Sequence, residues 1–313
     1  MNSQLSMDDA FSQITYNSIS WGSTVDGPGL RLVLYLQGCL LNCPWCHSPH
    51  SIPIKYIPIL FFPDLCQTLG QCVDACPRKL HTLEEKKHHY NRAECLSCGA
   101  CAEACSDNRE SNIAALRTAA VQIELSELWK KIKPQLMLLR SNGGLTISGG
   151  EPLLQGNVLP ELLDLCKNEN INTALETSGF IPDMHLSLLA QRVDTWLFGL
   201  RPNSCYSNQV SERILSNLGQ LVKSVGAGRI IIRTPLVPEV VEHVGWKTKL
   251  CSILKRYGLQ RIEFLPLNPN TDFYYLAMGK DAPGYGPMKA GIAEDAVQYF
   301  SSRGFSARLV TEA

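Results

Sequence analysis

The sequence predicts an α/β protein built on a parallel sheet, with a small cysteine-rich segment inserted into it. From Leu145 onward, short apolar strands alternate with segments of helical period, which is the pattern of βα units. Between about Pro58 and Asn112 this rhythm breaks, and cysteines replace the long apolar runs. A segment this small and this poor in apolar residues is expected to be held together by metal.

The predicted strands can be placed in order along the chain. The first is Leu30 to Leu36, and the others lie near 145–148, 171–175, 194–198, 229–234, 261–265 and 305–310. Apolar residues at helical spacing predict one helix around 210–225 and another around 250–257. Six or seven parallel strands are fewer than the eight of a closed barrel, so an open sheet is expected. The resulting division is a first barrel segment at 1–57, an insert at 58–112 and the rest of the barrel at 113–313.

Composition excludes several classes of function. The chain has 313 residues, is 45% hydrophobic, and has no apolar run of the ~18 residues that would indicate a membrane span. Its N-terminus lacks a secretory pattern, so a cytoplasmic location is expected. Lys plus Arg and Asp plus Glu both number 29, so charge gives no argument for a nucleic-acid or membrane partner. Most of the 13 cysteines have metal-type spacing, which favours reduced, metal-bound thiolates over disulfides.

Three cysteines, Cys39, Cys43 and Cys46, follow the first strand with the spacing C-x3-C-x2-C. Three thiolates on one loop can hold three irons of a 4Fe-4S cluster, and the fourth iron is then open to a ligand that it can activate. The alternative is a structural three-cysteine metal site or three metal-free thiols.

A second motif follows the strand that ends near Ser148. Gly149 and Gly150 let backbone approach a ligand closely, and the Glu151 carboxylate can accept hydrogen bonds from an ammonium group. This predicts an amine site beside the open iron, although such a segment taken alone is more often only a turn.

Together these motifs resemble the radical S-adenosylmethionine superfamily, and within it the activating enzymes of glycyl radical enzymes. Further matches are Asp26-Gly27-Pro28-Gly29-Leu30-Arg31, Trp45, Glu176-Thr177-Ser178-Gly179, Ile232-Arg233 and Leu265-Pro266. The resemblance implies an open, partial (β/α)6 barrel with a ferredoxin-like insert. It also implies reductive cleavage of S-adenosylmethionine to a 5'-deoxyadenosyl radical, which takes a hydrogen atom from a glycine of a partner enzyme. The electron would come from a flavodoxin or ferredoxin-type reductant.

The resemblance also implies roles for individual residues. Cys39, Cys43 and Cys46 would hold the catalytic cluster. The S-adenosylmethionine site would include Trp45, Gly149, Gly150, Glu151, Glu176, Thr177, Arg233 and Asn268. The partner's glycine loop would lie near Asp26, Gly27, Pro28, Gly29 and Arg31.

Two positions depart from the family pattern. Gly199-Leu200-Arg201 stands where relatives usually carry aspartate-x-lysine, so the carboxylate that helps to bind a monovalent cation is missing. Leu265-Pro266-Leu267-Asn268 replaces a leucine-proline-x-histidine, and Asn268 cannot titrate as histidine does.

The insert contains one complete and one defective cysteine run. Cys95, Cys98, Cys101 and Cys105 have the bacterial ferredoxin spacing, whereas Cys66, Cys72 and Cys76 have Leu69 at the expected second position. In two-cluster ferredoxins each cluster takes its fourth ligand from the other run, so one set is Cys76, Cys95, Cys98 and Cys101. The other set is Cys66, Cys72 and Cys105.

The first of these sets predicts a 4Fe-4S cluster. The second predicts a 3Fe-4S cluster, a labile four-iron cluster with a non-cysteine ligand, or an incomplete cluster. The three-iron form is favoured because an apolar Leu69 can pack against the vacant corner. His88 and His89 are expected on a solvated surface, and Cys166, Cys205 and Cys251 as core or surface thiols. A structural zinc insert is the alternative.

Two other functions stay open from the sequence. One is a radical S-adenosylmethionine enzyme that acts on a small molecule, and the other is a ferredoxin-like electron-transfer protein. Formation of 5'-deoxyadenosine would exclude the electron-transfer protein. A glycyl radical on a partner would exclude the enzyme that acts on a small molecule.

Overall fold

The computed structural model describes residues 12–105, 114–201, 207–268, 270–286 and 288–311. Its strands are β1 (Gln13–Ser23), β2 (Leu30–Leu36), β3 (Ile59–Phe61), β4 (His81–Glu84), β5 (Lys87–Tyr90), β6 (Leu116–Thr118), β7 (Val121–Glu124), β8 (Gly143–Gly149), β9 (Asn172–Thr177), β10 (Thr195–Gly199), β11 (Ile230–Pro235), β12 (Arg261–Leu265) and β13 (Ser306–Leu309).

Its helices are α1 (Gln71–Ala75), α2 (Ala100–Cys105), α3 (Leu125–Leu139), α4 (Leu159–Asn168), α5 (Asp183–Leu189), α6 (Asn208–Val225), α7 (Pro238–Val241), α8 (Trp246–Tyr257), α9 (Thr271–Ala277) and α10 (Ile292–Ser301). None of the helices in the described part of the chain has the length and apolar content needed to cross a bilayer.

The main sheet confirms the predicted open, parallel α/β architecture. Within the described residues its strands lie in the order β13-β12-β11-β10-β9-β8-β2-β1-β7. All pairs from β2 through β8 to β13 are parallel, so each predicted strand is present. The sheet also has two strands that the sequence did not predict, β1 and the edge strand β7, which are antiparallel to their neighbours. The register of β1 against β2 shifts twice, which interrupts the simple alternation of inward and outward residues.

Helices cover the sheet and bury a continuous apolar core. The predicted helical faces are confirmed: Leu218 and Leu221 of α6 and Leu254 of α8 are fully buried. Cys166 and Cys251 lie in this core, as expected for thiols that bind no metal, and Cys205 lies outside the described residues. The C-terminal ends of the parallel strands meet at one edge, and polar side chains collect there.

The insert is a separate small layer closed by its own strands. β3 pairs antiparallel with β6, and β4 pairs with β5 as a hairpin. The predicted end of the insert, Asn112, lies outside the described residues, whereas the β3/β6 pair extends to Thr118. The insert's small core includes Cys72 and Cys101 themselves, with other cysteines packed around it. Cysteine sulfur thus takes the place of part of an apolar core. The division at residues 58 and 112 stays a prediction.

Candidate active site

The cysteine loop is anchored to the end of β2 by backbone hydrogen bonds. The Gly38 amide donates to the Ser51 carbonyl (2.8 Å) and the Cys39 amide to the Ile52 carbonyl (3.0 Å). Gly38 has φ +100°, a conformation that favours glycine, and it lets the chain turn sharply out of the strand. Cys39, at the first position of the motif, therefore starts from a fixed point at the end of β2.

The electrostatics of this loop suit a metal centre. Burial, together with the charge of Glu151, raises the pKa of Cys39 to about 12. Burial raises the pKa of Cys46 to about 11, although a backbone hydrogen bond at Ser48 acts in the opposite direction. Only the thiolate binds metal, so neighbouring thiolates in a closed loop need a compensating cation. The donor set of three sulfurs fits a 4Fe-4S cluster with one open iron.

The Gly149-Gly150-Glu151 turn packs directly on the cysteine loop. A Cβ at Gly149 would lie 2.3 Å from the Leu36 amide nitrogen, and one at Gly150 would lie 2.2 Å from the Gly38 carbonyl oxygen. The Glu151 amide donates to that same Gly38 carbonyl (2.7 Å). In this structure both glycines are required by backbone-to-backbone packing, and this packing joins the two motifs.

The Glu151 carboxylate is fully buried and already engaged by protein donors. One oxygen accepts from Thr177 Oγ1 (2.8 Å) and the Leu153 amide (3.3 Å). The other accepts from the Ser178 amide (2.8 Å) and Ser178 Oγ (2.6 Å). Burial raises the pKa of Glu151, and these four hydrogen bonds act in the opposite direction. They fill the carboxylate's acceptor positions, so the predicted direct contact with an amino group would have to displace one of them.

A buried ion network lies next to this carboxylate, on the inner side of the sheet. Arg233 Nη1 donates to Glu176 (3.2 Å) and lies 3.6 Å from Asp26, and Arg233 Nε lies 3.3 Å from Glu263. Ser148 Oγ also donates to Glu176 (2.8 Å). Burial alone would raise the pKa of Glu176, but Arg233 and Ser148 leave it lowered. Burial alone would lower the pKa of Arg233, and its carboxylate neighbours leave it raised. The site therefore carries fixed, paired charges.

The Asp26–Arg31 segment packs into the sheet, and the position of Arg31 corrects the sequence reading. The Arg31 side chain is 0% exposed. Its Nε donates to Thr146 Oγ1 (2.9 Å), its Nη1 to Asn172 Oδ1 (2.9 Å), and its Nη2 to the Leu145 carbonyl. A side chain enclosed in this way cannot contact a partner protein, so Arg31 holds the loop to β8 and β9. Asp26 retains some exposure, and its predicted place near the partner stays a prediction.

The glycines of this segment have a local structural reason as well. A Cβ at Gly29, where φ is +75°, would lie 2.0 Å from the Asn142 carbonyl oxygen. Gly27, with φ +123°, faces Ala174 and Thr146 at contact distance. The Pro28 carbonyl accepts from Arg31 Nη1 (3.3 Å). The motif therefore closes tightly against the start of β8.

Three further predicted positions lie around the same edge of the sheet. Trp45 is buried in the main core. Asn268 Oδ1 accepts from the Asn270 amide (2.8 Å), so this amide oxygen closes a turn before α9. At Gly199 a Cβ would lie 2.1 Å from Arg201 Nη1, so a guanidinium group covers the position where the family resemblance led us to expect a carboxylate. The sequence did not indicate this cover, because it depends on how Arg201 folds back.

The insert cysteines fall into the two sets that the ferredoxin spacing predicts. The electrostatic neighbours of Cys72 are Cys105 and Cys66. Those of Cys101 are Cys95, Cys76 and Cys98, and these four thiols line one small cavity. Backbone amides point at several of the sulfurs: Leu80 to Cys76 (3.5 Å), Ser97 to Cys95 (3.3 Å) and Leu116 to Cys105 (3.4 Å). Amide donors to sulfur are characteristic of cluster ligands, so both sets fit iron-sulfur clusters.

One expectation about the insert was wrong, and another stays a prediction. Leu69 is 69% exposed, and its packing against a cluster corner remains a prediction. His88 is half-buried, and its ring lies against Phe61 and near Cys66. Alternation along β5 turns His88 inward and His89 outward, whereas the sequence predicted a solvated surface for both.

The comparisons with known proteins agree with this geometry. Residues 58–106 match the 4Fe-4S dicluster domain and residues 25–72 the 4Fe-4S single cluster domain. The chain is 30% identical over 267 residues to the choline trimethylamine-lyase activating enzyme of Oleidesulfovibrio alaskensis, covering 82% of this chain and 84% of that protein. It is 28% identical over 287 residues to the isethionate sulfite-lyase activating enzyme of Desulfovibrio desulfuricans, covering 88% and 90%.

A third relative is the 4-hydroxyphenylacetate decarboxylase activating enzyme of Clostridioides difficile. It is 29% identical over 272 residues, covering 83% of each chain. The similarity runs through both the barrel and the insert, and the resemblance inferred from the motifs is confirmed. The chain belongs to the activating enzymes of glycyl radical enzymes within the radical S-adenosylmethionine superfamily, and it carries a 4Fe-4S dicluster insert.

Proposed function

We propose that Cys39, Cys43 and Cys46 hold the catalytic 4Fe-4S cluster and that the Gly149–Glu151 turn receives the methionine end of S-adenosylmethionine. The observation that carries this is the direct bond between the two motifs, Glu151 amide to Gly38 carbonyl at 2.7 Å. When bound, the cluster and S-adenosylmethionine supply the 5'-deoxyadenosyl radical that takes a hydrogen atom from the partner's glycine. This chain's own residues hold the cluster and S-adenosylmethionine at the open edge of the sheet.

Glu151 and the Arg233 network act as the frame of this site. Glu151 ties the end of β8 to Thr177 and Ser178 at the end of β9. Arg233 ties β11 to Glu176 of β9. Buried, fully paired charges of this kind hold side chains in one arrangement, which a radical reaction near a protein backbone requires. The methionine amino group is then received by the main chain of the glycine turn, and the carboxylate of Glu151 supports it from behind.

The insert is proposed to carry electrons from a flavodoxin or ferredoxin-type reductant toward the catalytic cluster. Its two cysteine sets are connected by a continuous row of side chains. His88 Nε2 lies 2.9 Å from His81 Nδ1, the His81 ring stacks on Tyr90 (centroids 4.4 Å apart), and Tyr90 donates to Cys95 Sγ (2.9 Å). A docking surface for the partner or the reductant is the competing role. Reduced clusters also suit the cytoplasm, where thiols stay reduced.

The experiment that tests the catalytic assignment is reductive cleavage of S-adenosylmethionine. Anaerobically reconstituted and reduced protein should form 5'-deoxyadenosine, and Cys43→Ala should abolish this because two thiolates cannot hold the cluster. Cys251→Ala is the matched control, because Cys251 is a core thiol of α8 and cleavage should survive its loss. Cleavage that persists in Cys43→Ala would overturn the assignment.

A second measurement separates the two enzyme classes. With the partner present, freeze-quenched samples should show a glycyl radical on the partner by electron paramagnetic resonance. Formation of 5'-deoxyadenosine with a small-molecule product and no protein radical would overturn the proposed protein substrate.

A further inference from the structure

Arg92 joins the insert to the barrel. Its Nη1 donates to the Ile59 carbonyl of β3 (2.7 Å), and its Nη2 donates to the Ala277 carbonyl of α9 (2.6 Å). Its side chain also passes Gly279, where φ is +66° and a Cβ would lie 2.7 Å from Arg92 Nε. One planar guanidinium group therefore spans a strand of the insert and a helix of the barrel, and a lysine ammonium group does not offer this geometry.

The contact around Arg92 is an apolar layer between β3 and α9. Residues of β3 alternate, so that Ile59 and Phe61 pack with the insert's cysteines while Leu60 packs toward α9. The buried members of the layer are Leu60, Phe62, Ala119, Ala277 and Met278. Apolar packing has no preferred direction, so the two directional hydrogen bonds of Arg92 fix the orientation of the insert on the helix.

Arg92 also lies beside the insert cysteines that line one cavity. We call Cys76, Cys95, Cys98 and Cys101 the four-cysteine set. The Cys95 amide donates to the Arg92 carbonyl (3.1 Å). The guanidinium carbon lies 4.4 Å from the centroid of the Tyr90 ring, and Tyr90 donates to Cys95 Sγ (2.9 Å). Burial lowers the pKa of Arg92, and the charges of Tyr90, Cys95 and Cys101 act in the opposite direction. A cation is thus held beside this set.

Helix α9 also contacts the catalytic cysteine loop. Tyr275 Oη donates to the carbonyl of Pro44, which lies between the second and third cysteines of the motif (3.4 Å). The Tyr274 ring lies against the ring of His50, with centroids 3.8 Å apart, in the turn that follows the loop. The helix that Arg92 bonds to therefore touches the loop of the catalytic cluster.

We propose that Arg92 is a positioning residue that holds the four-cysteine set toward the catalytic loop, and that electrons leave the insert from this set. In each transfer the cluster of the four-cysteine set is oxidised by one electron, and the catalytic cluster is reduced by one. The flavodoxin or ferredoxin-type reductant replaces that electron. Cys98 is exposed, so this set also has a side that an external reductant can approach. This inference rests on the proposed role of the insert as an electron carrier.

The other cysteine set is the competing outlet, because Phe62 stacks on Phe273 of α9 with centroids 4.8 Å apart. Cys66 Sγ, however, lies 3.3 Å from His88 Nδ1, and the His88 ring packs on Phe61. Alternation places Phe61 and Phe62 on opposite faces, so the strand separates this sulfur from α9. The arginine instead passes the first residue of β3 and reaches α9 directly. The contacts therefore favour the four-cysteine set.

The charge of Arg92 gives the placement a measurable consequence. Reduction adds one negative charge to a cluster, and a nearby cation stabilises that charge. Removal of the cation should shift the reduction equilibrium of the four-cysteine cluster by on the order of tenfold, because a unit charge within about 10 Å acts on that scale in a protein. A tenfold change corresponds to about 59 mV for one electron. A residue that only held two elements together would leave the potential unchanged.

The first measurement is a redox titration followed by electron paramagnetic resonance. It uses the full chain with alanine substitutions at the three catalytic cysteines, Cys39, Cys43 and Cys46. The signal of the four-cysteine set is the one that Cys98→Ala removes or converts to a three-iron form. Arg92→Met should lower the potential of this cluster, and Arg92→Lys should restore it because the charge returns. Lys87→Met, at an exposed cation beside the hairpin turn, is the control and should leave the potential unchanged.

The second measurement follows reduction of the catalytic cluster in the chain with its catalytic loop intact. Oxidised protein is mixed with a reduced flavodoxin, and freeze-quenched samples track the signal that Cys43→Ala removes. Arg92→Met and Arg92→Lys should both lose the fast reduction and the amide-exchange protection of α9, because neither side chain offers the fork that bonds to both carbonyls. Cys98→Ala should lose the fast reduction, and Lys87→Met should keep it.

Three results would overturn the inference. They are an unchanged potential in Arg92→Met, fast reduction that survives in both Arg92 variants, or full-rate reduction of the catalytic cluster in Cys98→Ala. In each of these cases dithionite, a small reductant that needs no docking, would still drive cleavage of S-adenosylmethionine by the unsubstituted chain and not by Cys43→Ala. Failure of the Arg92 assignment is therefore distinguishable from failure of the proposed function.

Discussion

Glu151 offers a sharp test of how the S-adenosylmethionine site is built, because its family role and its contacts here differ. Glu151→Gln keeps the side-chain volume but replaces one acceptor oxygen by an NH₂ group. If the NH₂ group faces Ser178, the Ser178 amide loses its acceptor and cannot rotate away. A stranded buried N–H costs about 1–3 kcal/mol, and loss of the charged acceptor costs about 1.5–3 kcal/mol more. We therefore expect the turn to be destabilised by roughly 3–5 kcal/mol.

Destabilising the turn should weaken S-adenosylmethionine binding, because the Glu151 amide of the turn donates a hydrogen bond to the Gly38 carbonyl, directly before the cysteine loop. We expect affinity to fall by up to ~10²–10³-fold, because each factor of ten corresponds to about 1.4 kcal/mol. Ser178→Ala removes the 2.6 Å bond to Glu151 and should by itself cost about 10- to 100-fold. The double variant should be little worse than Glu151→Gln alone, which gives a coupling of about 1.5–3 kcal/mol.

The assay is equilibrium binding of S-adenosylmethionine to the anaerobically reconstituted protein, measured for all four members of this cycle. Ser252→Ala, an exposed position on α8, is the control and should bind as the unsubstituted protein does. If Glu151 instead contacted the amino group directly, Ser178→Ala would leave affinity nearly unchanged. The two effects would then add within about 0.5 kcal/mol, and that result would refute the supporting role argued here.

Three further predictions concern the surroundings of the site and the insert. S-adenosylmethionine binding should depend little on potassium or sodium. Gly199→Asp should create that dependence only when Arg201 is also replaced by methionine, because the guanidinium lies 2.1 Å from the new Cβ; a strong cation requirement in the unsubstituted protein would contradict this. Arg31→Met should destabilise the protein by about 3–5 kcal/mol, seen as a lower thermal midpoint, and reduce 5'-deoxyadenosine formation without any partner present. If Arg31 instead contacted the partner, the thermal midpoint and 5'-deoxyadenosine formation would both stay unchanged. Tyr90→Phe should lower the reduction potential of the cluster that Cys95 ligates by roughly 20–60 mV in a spectroscopic redox titration, because it removes the O–H donor to that sulfur; an unchanged potential would show that this bond does not tune the cluster.

Much of the barrel could be predicted because its signals are local in the chain. Every parallel strand was found from short apolar runs that alternate with helical periods. Strand β1 was missed, since its register shifts weaken the alternation of inward and outward residues. β7 is only four residues long and carries little pattern by itself.

Motif spacing was enough to identify the family and to predict the cysteine loop and the two sets of insert cysteines, because spacing along the chain is what places thiolates around a cluster. What neighbouring strands do to these residues became known only from the fold. It enclosed Arg31, filled the acceptors of Glu151, and turned His88 toward Cys66 while Leu69 turned to solvent. Contacts of this kind depend on which strands lie side by side, in which register and on which face. A hydrogen bond between β4 and β5, or between the ends of β8 and β9, is set by the packing of the whole sheet and leaves no mark in local spacing.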